Sequence, residues 1–294
     1  MYYRRKILLA LLDQFGGRLD KISLQKLLFL FVRQQESVVF HFVPYRFGCF
    51  SFQANADLKT LTKYDQVKET DESWEKTDEN DYYLQLKAND KVALRFIKSQ
   101  YGNLSSDELI TLTYINYPYF AINSTIAERF LTKDELKKVE SQRPRKDETV
   151  LFTIGYEGIT LEQYINKLIV NDIKVLCDVR KNPFSMKFGF SKNQLIKACQ
   201  GVNVEYRHIP GVGIENDKRQ ALNTQADYDR LFVYYKESIL PNKLDEQKEL
   251  LELLSSKKRI ALTCFEANIY QCHRKHLAEA LGSFDDNKFE IRHI

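Results

Sequence analysis

Long apolar runs are missing from this chain. None approaches the ~20 residues that a membrane span needs, and mean hydropathy is −0.43. A short apolar stretch does follow Arg4, Arg5 and Lys6, but it ends at Asp13 with no small-residue cleavage site, so it reads as an amphipathic helix and not a signal peptide. Cysteine is sparse and odd in number: five, at positions 49, 177, 199, 264 and 272. That count argues for free thiols in a reducing compartment and against a disulfide framework. With only 11 glycines and 6 prolines, and no internal repeat, collagen-like and low-complexity architectures are excluded. No sign of charge dominates either. The 44 basic residues face 40 acidic ones for a net +4, and the pI of 8.6 permits a nucleic-acid partner without demanding one. A soluble cytoplasmic protein with no membrane partner is expected.

What is present falls into two halves. The 294 residues suit one large domain or two ordinary ones. Residues 1 to about 142 carry Leu, Phe and Tyr at helical spacing; residues 149–294 alternate short apolar strands with amphipathic helices. Between them, Lys137 to Glu148 is polar, contains Pro144 and offers hardly an apolar anchor, which is linker chemistry. The boundary is placed near Arg143–Glu148.

In the first half, Arg4–Phe15 is expected to be a helix stopped by Gly16 and Gly17. Ser23 is expected to cap a second helix over Leu24–Gln35. A strand over Phe40–Tyr45, a turn over 47–51, a helix over Gln53–Tyr64 and a strand over Tyr82–Leu86 follow, with an acidic stretch over 65–81. Ser-Leu-Gln-Lys-Leu-Leu-Phe-Leu at 23–30, Tyr-Arg-Phe-Gly-Cys-Phe-Ser-Phe at 45–52 and the Asp57–Leu61 segment resemble a group of bacterial winged-helix-like domains. The resemblance implies a small, mainly helical module that docks on DNA or on protein, or is purely structural. For DNA, Arg4, Arg5, Lys6, Lys26, Arg33 and Arg46 are the candidate phosphate contacts, a role that needs only reach and positive charge.

The second half predicts an α/β fold: a mostly parallel sheet with helices on both faces. Strands are expected at 151–154, 174–179, 204–208, 259–264 and 288–292, and helices at 160–169, 191–199, 226–239, 245–254 and 272–281. Open α/β sheets bind ligands beyond the carboxyl ends of their strands. Tyr156 and Glu157, Asp178 and Arg180, His208, and then Glu266 occupy those ends, and Cys272, His273 and Arg274 open the next helix. Four strand ends thus present reactive or anion-binding side chains to one rim.

Thr-Ile-Gly-Tyr-Glu-Gly at 153–158, Asp-Val-Arg-Lys-Asn-Pro-Phe-Ser at 178–185, Tyr-Arg-His-Ile-Pro-Gly-Val-Gly at 206–213 and Cys-Phe-Glu-Ala-Asn-Ile-Tyr-Gln-Cys-His-Arg at 264–274 resemble, in order, the motifs of the domain-of-unknown-function family 488. The resemblance spans 149–294 and implies a fold more than a reaction. Tyr156-Glu157 departs from the His followed by Ser or Asn of many relatives.

Arginine's fork suits phosphate, so Arg180 and Arg274 are the leading anion-binding candidates, with Asp178 and Glu266 as ion-pair partners or as acid and base. Ser185, Lys187 and Lys181 on the loop after Asp178, and His273, add phosphate contacts; Tyr156 orients substrate and His208 is a candidate base. Cys272, at a helix start beside His273 and Arg274, is either a thiolate nucleophile of lowered pKa or a structural residue. With no Cys-x-x-Cys pair and Cys264 at a strand end, no metal is assigned, and the sequence requires no cofactor. The expected function is a nucleic-acid- or nucleotide-acting hydrolase or transferase, cleaving at a phosphate or N-glycosidic bond. The alternatives are a non-catalytic nucleotide sensor and a protein-interaction adaptor of a defence or toxin–antitoxin set. The oligomeric state is not legible.

Overall fold

Each half of the chain packs its own buried hydrophobic residues. The computed structural model describes residues 1–219, 222–284 and 289–294, and it divides into compact units Met1–Arg143 and Pro144–Ile294.

The first unit is built around a helix that is apolar almost all round. In order, it runs α1 (Tyr3–Gln14), β1 (Arg18–Asp20), α2 (Lys21–Val32), β2 (Val43–Tyr45), β3 (Gly48–Phe50), α3 (Phe52–Thr62), β4 (Val67–Glu69), β5 (Ser73–Lys76), α4 (Ala88–Tyr101), α5 (Ser106–Asn116) and α6 (Lys133–Ser141). Every residue of α2 from Ser23 to Val32 is buried, because α1, α4, α5 and the β2–β3 hairpin all pack against it. Its cap is Asp20 and not Ser23: the Asp20 carboxylate accepts the Ile22 and Ser23 amides at 3.1 and 2.8 Å. Ser23 sits inside the helix, hydroxyl to hydroxyl with Ser106 at 2.7 Å.

Three expectations fail here for one reason: short elements with few apolar anchors carry little signal. The acidic stretch holds β4 and β5, which join β1 in an antiparallel sheet of order β1-β5-β4, anchored by buried Val67 and Trp74. The segment expected as a strand at Tyr82–Leu86 is a turn whose Tyr82 and Leu86 are buried. The start of the expected linker is the end of α6, which a Thr132–Glu135 capping box initiates and buried Val139 pins.

The basic residues proposed to meet DNA divide sharply. Arg4 and Arg5 both pair with the buried Asp57 carboxylate. Lys26 is 1% exposed; its Nζ donates to the Phe47 carbonyl at 2.6 Å and to Cys49 Sγ at 3.6 Å, and lies 5.1 Å from the centre of the Tyr114 ring. Gly48, at φ +91°, makes room for it, since a Cβ there would stand 2.3 Å from Nζ. These three are therefore not phosphate contacts in this fold. Arg33 and Arg46 are exposed, each over a neighbouring tyrosine ring.

The second unit is a five-stranded, wholly parallel sheet of order β10-β6-β9-β7-β8. Its elements are β6 (Val150–Gly155), α7 (Leu161–Val170), β7 (Val175–Asp178), α8 (Lys192–Gln200), β8 (Glu205–His208), α9 (Gln225–Tyr234), α10 (Leu244–Lys257), β9 (Arg259–Cys264), α11 (His273–Gly282) and β10 (Glu290–His293). β7 and β9 are buried at every residue, and β6 at all but Gly155, as expected of strands covered on both faces. The last strand was expected from Lys288, which lies outside the described residues. Because all five strands are parallel, their carboxyl ends gather at one edge of the sheet. No helix among the described residues is long and apolar enough to cross a membrane.

Burial lowers the Lys26 pKa from its ordinary value, with Cys49 opposing the shift. Between that lowered pKa and the unfolded value of about 10.4, the unfolded chain holds the extra proton, so stability rises with pH through that window and is flat above it. Lys26→Met, which keeps the stem and removes the charge, is expected to raise the melting temperature at pH 7 and to abolish the alkaline gain. Thermal melts of both proteins across pH check this.

Candidate functional site

Register places four strand ends side by side: Gly155 opposite Cys264, and Asp178 opposite both Thr263 and His208. At this edge the dominant charge interaction is a buried ion pair two residues apart in sequence. Asp178 is 0% and Arg180 5% exposed. Arg180 Nε donates to Asp178 Oδ1 at 2.8 Å and its Nη2 to Oδ2 at 2.5 Å, a two-pronged pair. Nη1 donates to the Tyr156 hydroxyl at 2.7 Å and to the Phe190 carbonyl at 2.9 Å. Asp178 in turn accepts the Tyr206 hydroxyl at 2.7 Å and the Arg180 amide at 3.1 Å. Its charge, after burial, drives the Tyr206 hydroxyl pKa far up; Asp178 likewise holds the Arg180 guanidinium protonated against the cost of burial. The Tyr156 ring stacks on Phe190 with centroids 4.3 Å apart and planes 9° from parallel.

This network changes the roles expected of its members. Asp178 is saturated and sealed, so it is not an acid or base for a ligand. Arg180 spends its fork on Asp178, Tyr156 and Phe190 and is not a phosphate clamp. Tyr156, 3% exposed, is a structural partner of that fork. His208 Nε2 meets the Arg180 carbonyl at 3.0 Å, which makes it a tie for the loop and not a base reaching for substrate.

The loop after this network forms one wall of a cleft of about 600 Å3. Lys181, Asn182, Phe184, Ser185, Met186 and Lys187 line it. The Lys181 ammonium pairs with Glu215 at 2.8 Å, and close packing of Gly213 against the Lys181 backbone leaves no room for a Cβ there. Lys187 Nζ donates to the Tyr156 carbonyl at 2.6 Å, and partial burial draws its pKa down while Glu157 opposes the shift. The Ser185 hydroxyl accepts the Lys187 amide at 3.2 Å. Phe184 is 65% exposed.

Phe265 and Glu266, between β9 and α11, form the opposite wall. Backbone bonds fix it: the Tyr156 and Glu157 amides both donate to the Phe265 carbonyl, at 3.1 and 2.9 Å. The Glu157 carboxylate accepts the Ala267 amide at 2.9 Å. Gly155 allows this approach, because a Cβ there would fall 1.9 Å from the Glu266 carbonyl oxygen. Arg274 Nη1 donates to that same oxygen at 2.6 Å. Arg274 is 2% exposed and forms no ion pair with an acid among the described residues, so the expected Arg274–Glu266 salt bridge is replaced by a backbone clamp. Nor does Arg274 reach the cleft as a phosphate ligand.

Glu266 is the one member of the expected acid pair that lines the cleft, and its carboxylate accepts the Cys264 thiol at 3.2 Å. Behind it, Cys264, Cys272 and His273 bring their Sγ, Sγ and imidazole nitrogen within 4.8 Å of one another. Sequence spacing argued against such a cluster; the chain closes it by joining a strand end to a helix start. Cys272 is 0% exposed, and burial, followed by hydrogen bonding with Cys264, pushes its thiol pKa well up. That is opposite to the lowered pKa expected of a nucleophile. His273 is buried, with Nε2 at 3.1 Å from the Val179 carbonyl, and is no surface phosphate ligand.

These residues lie within a recognisable stretch. Residues 160–281 match the family described as Domain of unknown function DUF488. The matched stretch contains the Asp178–Arg180 pair, Glu266 and the Cys272–Arg274 helix start, whereas Thr153–Gly158, which carries the departing Tyr156-Glu157, lies before it. No curated protein matches the chain. Within the DUF488-like stretch, sequence reasoning passed over Phe190 and the hydroxyl of Tyr206, which complete the buried network, and Phe184 and Phe265, which rim the cleft. Exposed rings in a polar loop were the available signal for the last two.

Asp178→Asn leaves the Arg180 cation buried without its counter-charge and is expected to cost about 3–5 kcal/mol. In a unit of this size that lowers its melting temperature by roughly 10 °C. Differential scanning calorimetry of the full chain measures it.

Proposed function

We propose that the second unit binds a nucleotide or single-stranded nucleic acid in this cleft and acts on it by hydrolysis or transfer at a phosphate or N-glycosidic bond. The observation that carries the reading is the pairing of water-exposed rings with lysines over a recessed acid. Phe184 and Phe265, 65% and 41% exposed, stand at a cleft that Lys181, Lys187 and Glu266 also line. Exposed rings beside cations suit stacked bases and their phosphates. Lys181 and Lys187 take the phosphate role first given to Arg180 and Arg274, and Glu266 alone takes the acid–base role first shared with Asp178.

For the first unit, the succession α1-β1-α2, then the β2–β3 hairpin, α3 and the β4–β5 pair, with β5 beside β1, supports a winged-helix reading. Its DNA-facing candidates reduce to Lys6, Arg33 and Arg46.

Fluorescence anisotropy with labelled oligonucleotides, and competition by mononucleotides, tests the cleft. Loss of one stacking ring, Phe184→Ala or Phe265→Ala, is expected to weaken binding by about 5- to 150-fold, corresponding to ~1–3 kcal/mol per base. Lys187→Gln is expected to flatten the salt dependence. Glu266→Gln is expected to bind and not turn over. Wild-type binding with no turnover of any nucleotide would leave a sensor; no binding at all would leave the adaptor.

A further inference from the structure

We propose that Cys264, Cys272 and His273 form a zinc site whose fourth position opens toward the cleft beside Glu266. The site rests on donor chemistry and geometry and holds whether or not the cleft takes nucleotides.

Two thiols and an imidazole are the donors that zinc prefers. In tetrahedral zinc, sulfur and nitrogen ligands at ordinary bond lengths stand about 3.5–3.8 Å from one another. Cys264 Sγ and His273 Nδ1 are 3.7 Å apart, and all three donor atoms fall within 4.8 Å of each other. All three residues are essentially sealed from water, and their thiols are free of disulfides.

The histidine is oriented as a metal ligand is. Its Nε2 faces the Val179 carbonyl at 3.1 Å, which accepts a hydrogen bond from Nε2–H and so leaves the Nδ1 lone pair toward Cys264. Zinc-binding histidines are held in this way by a carbonyl on the far nitrogen. Arg274 gives a second, independent sign. It is buried, its Nε has no hydrogen-bond partner among the described residues, and its other bonds go to the Glu266 and Ala267 carbonyls. A guanidinium with no acid partner is costly to bury. Metal-bound thiolates beside the first turn of α11 supply anionic atoms near it.

Glu266 is not part of the mutual three-donor cluster, although its Oε2 is 3.2 Å from Cys264 Sγ. It also lines the cleft together with Cys264. Three protein ligands plus an open position define a catalytic and not a structural zinc. A His-Cys-Cys zinc with a non-ligating glutamate is a known arrangement for activating water. Here the proton of a water on the fourth position passes to the Glu266 carboxylate, and the hydroxide remains on the metal facing the cleft. Binding itself displaces one proton from each of Cys264 and Cys272.

The test uses the reduced full-length chain. After chelator treatment, Co2+ is titrated and followed by visible ligand-field bands, thiolate-to-cobalt charge transfer and proton release, and then displaced with Zn2+. One equivalent per chain, with the charge-transfer band and near two protons released, is expected. Cys272→Ser and His273→Asn are expected to lose the band and the stoichiometry while circular dichroism stays unchanged. Glu266→Gln and Cys199→Ser, the latter a buried thiol elsewhere, are expected to keep both. The wild-type titration stands without any variant. No stoichiometric binding, binding without thiolate charge transfer, a Cys264–Cys272 disulfide in the isolated protein, or loss of metal in Glu266→Gln would each overturn the proposal. Oligonucleotide binding repeated in excess chelator tests the nucleotide reading separately, so the two fail independently.

Discussion

The ion pair between Asp178 and Arg180 is the constraint on which the edge of the sheet depends. Neither charge could be buried alone: a lone carboxylate or guanidinium would carry a desolvation penalty of several kcal/mol. Together they bind three further groups. The fork reaches Tyr156 after β6 and the Phe190 carbonyl before α8, while the carboxylate reaches Tyr206 on β8. One pair therefore ties three parallel strands and the loop that walls the cleft. Parallel strands have no hairpin to hold their ends together, and this network takes that place.

Seen from there, the motif residues sort by depth. Those that looked most like ligands to an anion are the ones the fold has spent on itself. Arg180 serves Asp178, and Arg274 serves the carbonyls of Glu266 and Ala267. What is left at the cleft is less conspicuous in sequence, and includes two lysines, two phenylalanines and one glutamate. The strongest chemical cluster lies just beneath, where the end of β9 meets the start of α11.

The parallel sheet was legible because β6, β7 and β9 are short apolar runs separated by amphipathic helices, and the strand ends were correctly read as the edge where polar residues gather. Direction within that edge was not legible. Sequence says that Glu266 and Arg274 are near; it does not say that Arg274 meets the backbone of residue 266 and not its side chain. Burial was equally hidden. Lys26 reads as one more cation in a basic helix, yet α2 is enclosed on all sides, a fact set by α4 and α5, far along the chain. Strands β4 and β5 escaped notice because their pairing with β1 rests largely on backbone hydrogen bonds, which every sequence can make, and their buried apolar anchors are few, Trp74 and Val67.

The two walls of the cleft are held by different means, and Gly155 is the reason. Because position 155 has no Cβ, the Phe265–Ala267 segment lies directly on the end of β6, fastened by the Tyr156 and Glu157 amides to the Phe265 carbonyl, an acceptor that any residue at 265 supplies. The facing wall hangs from side chains: Arg180 to Phe190, Lys187 to Tyr156, Lys181 to Glu215. One jaw is fixed and the other is free to vary. A lineage could exchange residues along 181–187, and with them the choice of ligand, while the glutamate opposite kept its place.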